Sequence, residues 1–208
     1  MNTRELLALS PIVPVMVVKD LDSIVPASLA LFEGGIRAFE ITLRTPLALE
    51  AIRLLNQALP AEAVVGAGTI THPSQLQAAV AAGARFGVSP GLSAELATAI
   101  QASALPFLPG VATASELMQA WDWGFDTLKL FPAEAVGGVN LLKALAGPFA
   151  EARFCPTGGI HADNAADYLA LDNVLAVGGS WVLPQDKVEQ QDWQGIRTLA
   201  QEACALKP

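Results

Sequence analysis

The chain has 208 residues, of which 52% are hydrophobic and 15% charged, with a formal net charge of −8. That length suits one domain, residues 1–208, and that apolarity supports a large core and excludes a disordered chain. With no basic run to offset the acidic balance, nucleic acid is excluded as a partner and an anionic membrane surface is disfavoured; an anionic ligand would need local positive groups.

Residues 2–9 read as a helix ahead of the first strand. Pro11 and Pro14 break the apolar stretch that follows, and Lys19 closes it, so neither a signal peptide nor a transmembrane helix is expected. VPVMVV (13–18) is the first of roughly eight short apolar or β-branched runs. After it, LDSIVPASLALFEGG is a helical pattern ending on glycines. AFEITL (38–43) is the second run, followed by PLALEAIRLLNQAL with apolar residues at helical spacing. AVVGAGT (63–69) precedes a helix opening at Pro73 and stopping at Gly83. RFGVSP (85–90) leads to SAELATAIQAS, with Ser93 as N-cap. PFLPGV (106–111) leads to TASELMQAWDWG, where Thr113 and Glu116 form a capping-box pattern. TLKLFP (127–132), RFCPTGG (153–159) and VLAVGG (174–179) complete the runs. Residues 183–192 read as an exposed linker, and 189–206 as a last helix.

Alternating strands and helices in one apolar domain predict an α/β fold, a (β/α)₈ TIM barrel with an extra N-terminal helix. An open doubly wound sheet is the alternative, weakened by the lack of a GxGxxG after the first strand.

Strands of a parallel barrel are buried on both faces and should be almost wholly apolar. Glu40 and Lys129 break that rule inside the second and sixth runs. Side chains alternate along a strand, and alternate strands fill one layer of a barrel, so the two can meet in the interior. Both are placed toward the C-terminal half of their strands, where barrel active sites lie. Burial disfavours an ammonium ion and favours the free amine that attacks a ketone. The resulting iminium withdraws electrons, and a neighbouring carboxylate can move the protons that bond cleavage requires. The pattern thus makes Lys129 a candidate Schiff-base nucleophile and Glu40 its proton-transfer partner; a purely structural ion pair is the alternative.

The loops supply candidate ligand contacts. Arg44 follows the second strand and can hold a carboxylate with its planar fork. GAGT (66–69) brings Thr69 to the end of the third strand, its glycines suited to a tight turn or to a substrate approaching the backbone. TGGI (157–160) and GGS (178–180) end the seventh and eighth runs, the usual phosphate site of a barrel. His72 and His161 stand apart, and Cys155 and Cys204 are isolated, so no metal and no disulfide framework is expected, consistent with a reducing cytoplasm. Trp121, Trp123, Trp181 and Trp193 read as packing or interface residues.

The blocks PIVPVMVV, GGIRAFEITLRT, VGAGT, SPGL, PGVATASELM, LKLFPAE, LLKALAGPF, RFCPTGGI and GGSW span nearly the whole chain. In them the sequence closely resembles the 2-dehydro-3-deoxy-phosphogluconate aldolase and 4-hydroxy-2-oxoglutarate aldolase family. The resemblance implies a (β/α)₈ barrel, a homotrimer, no cofactor, and cleavage of 2-dehydro-3-deoxy-6-phosphogluconate to pyruvate and glyceraldehyde 3-phosphate. Many such enzymes also split 4-hydroxy-2-oxoglutarate. It puts the Schiff-base lysine at Lys129, the proton-transferring glutamate at Glu40, and the pyruvate carboxylate on Arg44 and Thr69, with Pro90 and Phe131 lining the pocket. Thr157, Gly158, Gly159, Gly179 and Ser180 match the phosphate end. The related phosphogalactonate aldolases share the lysine and glutamate but typically lack the TLRT and CPTGG wording, so configuration at C4 stays open. A barrel binding a sugar phosphate without covalent chemistry is a further alternative; it leaves the two intra-strand charges unexplained.

Overall fold

In the computed structural model, which describes residues 1–206, the strands are β1 Ile12–Met16, β2 Ala38–Thr42, β3 Val64–Gly68, β4 Gly87–Val88, β5 Phe107–Leu108, β6 Gly110–Val111, β7 Thr127–Leu130, β8 Arg153–Phe154 and β9 Val177–Gly179. The α-helices are α1 Thr3–Leu7, α2 Ile24–Glu33, α3 Ala48–Ala58, α4 Pro73–Ala81, α5 Ala94–Ser103, α6 Ala114–Asp122, α7 Gly138–Ala146, α8 Ala162–Leu169, α9 Gln185–Glu189 and α10 Trp193–Cys204. All strand pairs are parallel, in the orders β5-β4-β3-β2-β1-β9 and β6-β7-β8. The result is an α/β fold around a curled parallel sheet.

The helix boundaries follow local chemistry. Ser93 accepts from the Leu96 N–H, and Thr113 and Glu116 form the reciprocal capping box expected of them. Two details differ from the sequence reading. The fifth run divides at Pro109 into β5 and β6, because proline carries no N–H to pair there; its carbonyl still accepts from Lys129 N at 2.8 Å. Residues 183–192 are also not a plain linker. They hold the short helix α9, closed by a Lys187–Asp192 ion pair at 2.6 Å, and a five-residue helix is too brief to leave an apolar period.

The sheet separates two apolar clusters. Residues on its outer face, such as Phe39, Ile41, Val65, Leu128 and Leu130, pack with the helices in one large cluster. On its inner face, Val13, Ala38, Val64, Phe86, Val88, Leu108, Cys155 and Ala176 form a second, which Leu6 and Leu7 of α1 complete. Helix α1 thus stops one end of the concave face. Arg4 anchors it by donating to Asp126 at 2.6 Å and to the Glu151 carbonyl at 2.9 Å.

Leu7 is 2% exposed at that stopper. Leu7→Ala should therefore cost about 2–5 kcal/mol and lower Tm by several degrees, measured by thermal circular dichroism. An unchanged Tm would show that α1 is not part of the core.

Candidate active site

The alternation of β2 turns Ala38 and Glu40 to the inner face, and that of β7 turns Thr127 and Lys129 the same way. Lys129 Nζ donates to Glu40 Oε1 at 3.3 Å. Lys129 is 5% exposed and Glu40 3%, and they are the only buried charged residues among those described. Glu40 is the central residue of its strand, and its partner across β3 is Gly66. The carboxylate reaches over Gly68, where any Cβ would collide with Oε1. The glycines of GAGT therefore have a role that the strand's local pattern hides. They lie within β3; Gly66 admits the Phe86 ring, and Gly68 admits the Glu40 carboxylate.

Lys129 has Phe131 beside it. Its Nζ lies 5.4 Å from the centroid of the Phe131 ring. Across the sheet it faces Gly110, whose missing side chain lets the Pro90 backbone pack close. Cys155, on the same inner face, has its thiol pushed up to about 12, chiefly by burial; Glu40 adds to the rise while Lys129 opposes it.

Arg44 and Thr69 follow the paired residues Thr42 and Gly68, one step beyond Glu40. Arg44 Nε donates to Thr69 Oγ1 at 3.3 Å, and Arg44 is exposed. Thr69 has φ +61°, which a β-branched residue rarely adopts. Such strain collects at functional positions.

The third group lies at the ends of β8 and β9. Thr157 N donates to Leu130 O at 2.9 Å, which puts it beside the lysine strand. Gly158 and Gly159 have φ of +101° and +80°, a backbone path suited only to glycine. Thr157 bridges to Gly178, and its hydroxyl fills the space where a Cβ on Gly178 would lie. Gly179 lies under the Trp181 ring, and Ser180 is exposed beside it. Ser180 and Trp181 border a cavity of about 400 Å³ between the ends of β1 and β9, along with Met16, Lys19 and Ser23. Lys19, absent from the sequence-derived set, is a cation on that wall; its position just past the first strand is the signal that could have marked it.

Lys129 is thus within reach of both Glu40 and Phe131, Arg44 joins Thr69, and Thr157 joins Gly178. No cluster of three or more metal-ligating residues occurs among the described residues. A buried Lys–Glu pair contributes little to stability, since desolvation offsets its attraction, so its presence inside the sheet makes it a candidate for chemistry.

Comparison with known proteins gives a consistent result. The family model described as KDPG and KHG aldolase matches residues 3–199. The chain is 51% identical over 204 residues to the 2-dehydro-3-deoxy-phosphogluconate aldolase of Dickeya dadantii, covering 98% of this chain and 95% of the relative. It is 50% identical over 202 residues to the KHG/KDPG aldolase of Escherichia coli, covering 97% and 94%. Among solved structures, it superposes with a TM-score of 0.95 and 45% identity, covering 98% of both chains, on a KDPG aldolase from Legionella pneumophila with pyruvate captured as a covalent carbinolamine intermediate.

Only thiolates react quickly with disulfide reagents, and a thiol raised to about 12 stays protonated at pH 8. Cys155 should therefore be silent toward Ellman's reagent in the folded protein, leaving at most the half-exposed Cys204. Both should react after denaturation. Fast release of two thiols per native chain would contradict this placement.

Proposed function

The chain belongs to the KDPG and KHG aldolase family, and we infer that it is a class I aldolase, a carbon–carbon lyase acting through a Schiff base. Its substrate is 2-dehydro-3-deoxy-6-phosphogluconate, which it splits to pyruvate and glyceraldehyde 3-phosphate; it also takes 4-hydroxy-2-oxoglutarate, giving pyruvate and glyoxylate. The observation that carries the assignment of roles is the 3.3 Å contact between Lys129 and Glu40 inside the sheet.

The steps follow from that contact. The free Lys129 amine adds to the C2 carbonyl, and the carbinolamine loses water to give an iminium. Glu40 takes the C4 hydroxyl proton as the C3–C4 bond breaks, and the bonding electrons flow into the iminium to form an enamine. The aldehyde leaves. A proton returned from Glu40 to C3 regenerates the iminium, and water releases pyruvate. Arg44 and Thr69 hold the C1 carboxylate, while Pro90 and Phe131 bound the pyruvate pocket. Thr157, Gly158, Gly159, Gly179 and Ser180 receive the phosphate. No cofactor is required. Arg44 supplies local positive charge that an acidic chain must present to a polyanionic substrate.

The architecture that goes with this reading is a closed (β/α)₈ barrel in one domain, residues 1–208, preceded by the extra helix α1. Two features support closure: only Pro109 separates β5 from β6, and bridges Phe154–Val174 and Thr157–Gly178 join the strand 8 segment to that of β9. The assembly is a homotrimer. Exposed Met118, in a groove with Trp121 and Phe149, supports a contact between copies. The protein acts in the cytoplasm, in keeping with its two free cysteines and with the absence, among described residues, of any helix long and apolar enough to cross a membrane.

Pyruvate with borohydride should leave one reduced adduct on Lys129, located by peptide mass spectrometry and abolished by Lys129→Ala. A folded wild-type chain that stays unmodified would refute the mechanism. Gly68→Ala forces Glu40 off its position, so kcat should fall about 100-fold, the scale of a misplaced catalytic group, while trapping by pyruvate persists. Unchanged kcat would remove Glu40 from proton transfer.

A further inference from the structure

The chain segment after β7 is fastened to the turn after β8 at several points. Ala133 N donates to Thr157 O at 2.8 Å, and Glu134 N to Gly158 O at 3.1 Å. The Glu134 side chain then lies over the second glycine of that turn, since a Cβ on Gly159 would sit 2.6 Å from Glu134 Cβ and Cγ. Its carboxylate accepts a hydrogen bond from the Tyr168 phenol of α8. Tyr168 is 1% exposed. Burial first, and Glu134 second, raise the phenol's pKa, so it remains a donor throughout the neutral range.

Glycine frames this contact on both sides. A Cβ on Gly138 would lie 2.6 Å from the Tyr168 hydroxyl and 3.2 Å from Glu134 Oε1. Gly138 also has φ +53° and donates its N–H to Ala133 O at 2.8 Å. Residues 138 and 159 therefore leave room for a carboxylate–phenol pair between the lysine strand's loop and α8. The chemistry above uses neither Glu134 nor Tyr168.

We propose that Glu134 and Tyr168 are positioning residues that lock the Gly158–Gly159 turn at a fixed distance from Lys129, so that the phosphate and the C2 carbonyl are engaged together. The inference rests on the reading that this turn receives the phosphate. The physical need is plain. Two consecutive glycines at positive φ are the most conformationally free link in the site. Backbone N–H groups bind an anion well only when held in one orientation. Glu134 supplies that restraint directly against the turn, and α8, through Tyr168, holds Glu134 in place.

The test compares two substrates that differ in the phosphate: 2-dehydro-3-deoxy-6-phosphogluconate and 4-hydroxy-2-oxoglutarate. Tyr168→Phe and Glu134→Ala should each raise KM for the phosphorylated substrate about ten-fold, the scale of one charge-assisted hydrogen bond, with kcat within about two-fold. Both parameters for 4-hydroxy-2-oxoglutarate should stay unchanged. Glu134→Gln keeps an oxygen acceptor for the phenol and should stay near wild type. Equal losses on both substrates would reduce the pair to a structural contact, and no loss in either variant would also overturn the proposal. Glu134 is exposed, so Glu134→Ala decides the matter if Tyr168→Phe does not fold. Ser180→Ala serves as the separate control. If it raises KM for the phosphorylated substrate while the two latch variants do not, the latch is wrong and the phosphate assignment stands. If all three leave that KM unchanged, the phosphate assignment fails and the latch with it.

Discussion

A charged pair inside an apolar, curled sheet is the constraint on which the remaining structure turns. Lys129 and Glu40 are nearly inaccessible, and a lone buried charge in either place would be strongly destabilising. The interior is graded to hold them. Toward the end stopped by α1 it is filled with large apolar side chains, among them Leu6, Leu7, Phe86 and Leu108. Around the pair, the neighbouring strands present glycines: Gly66 and Gly68 in β3, Gly110 in β6 and Gly178 in β9. Packing at one end makes the fold stable, and missing side chains at the other admit the Glu40 carboxylate over Gly68, the Pro90 backbone at Gly110 and the Thr157 hydroxyl at Gly178.

Much of this was readable from the chain because a parallel strand tolerates few polar residues. Glu40 and Lys129 stand out against AFEITL and TLKLFP, and strand parity suffices to bring them together. The glycine-ended runs were readable for a similar reason, since positive φ at Gly158 and Gly159 permits little else. What escaped is non-local. Gly68 reads as a turn residue until Glu40 from the next strand is laid across it. The Glu134–Tyr168 contact joins residues 34 positions apart on unlike elements. Helix α8 (ADNAADYL) is only eight residues long and buries a single short stripe of Ala165, Tyr168 and Leu169, and α7 opens on Gly137 and Gly138, which resemble a loop.

The two ends of the site rely on different physics. At Arg44 and Thr69 the proposed ligand contacts are side chains, and the backbone strain at Thr69 costs on the order of 1–3 kcal/mol. That strain is sustained by β3, whose ladder with β2 fixes the residue just before it. At Thr157–Gly159 and Gly178–Ser180 the proposed function makes the backbone itself the ligand surface, and rigidity must then come from neighbours. A side-chain fork suits a planar carboxylate, and a ring of N–H groups suits a tetrahedral anion. The distinction explains why one end is rich in functional groups and the other in glycine.

The pairing of Lys129 with Glu40 also makes the proposed sequence of steps tolerable in a low-dielectric interior. A mechanism that created an isolated charge there would meet a large desolvation cost. In this one the proton moves within the pair. When the amine attacks as a neutral group, the carboxyl can hold the proton; when the iminium forms, it takes the place of the ammonium as the cation facing the carboxylate. During bond cleavage Glu40 becomes neutral as the iminium collapses to a neutral enamine, so both charges vanish together. They reappear together when C3 is protonated. Because cation and anion are created and removed in step, the environment that suits the resting ion pair suits each intermediate as well, and little reorganisation is needed between them. On the proposed mechanism, that is the physical reason for a carboxylate 3.3 Å from Lys129 Nζ, inside the sheet.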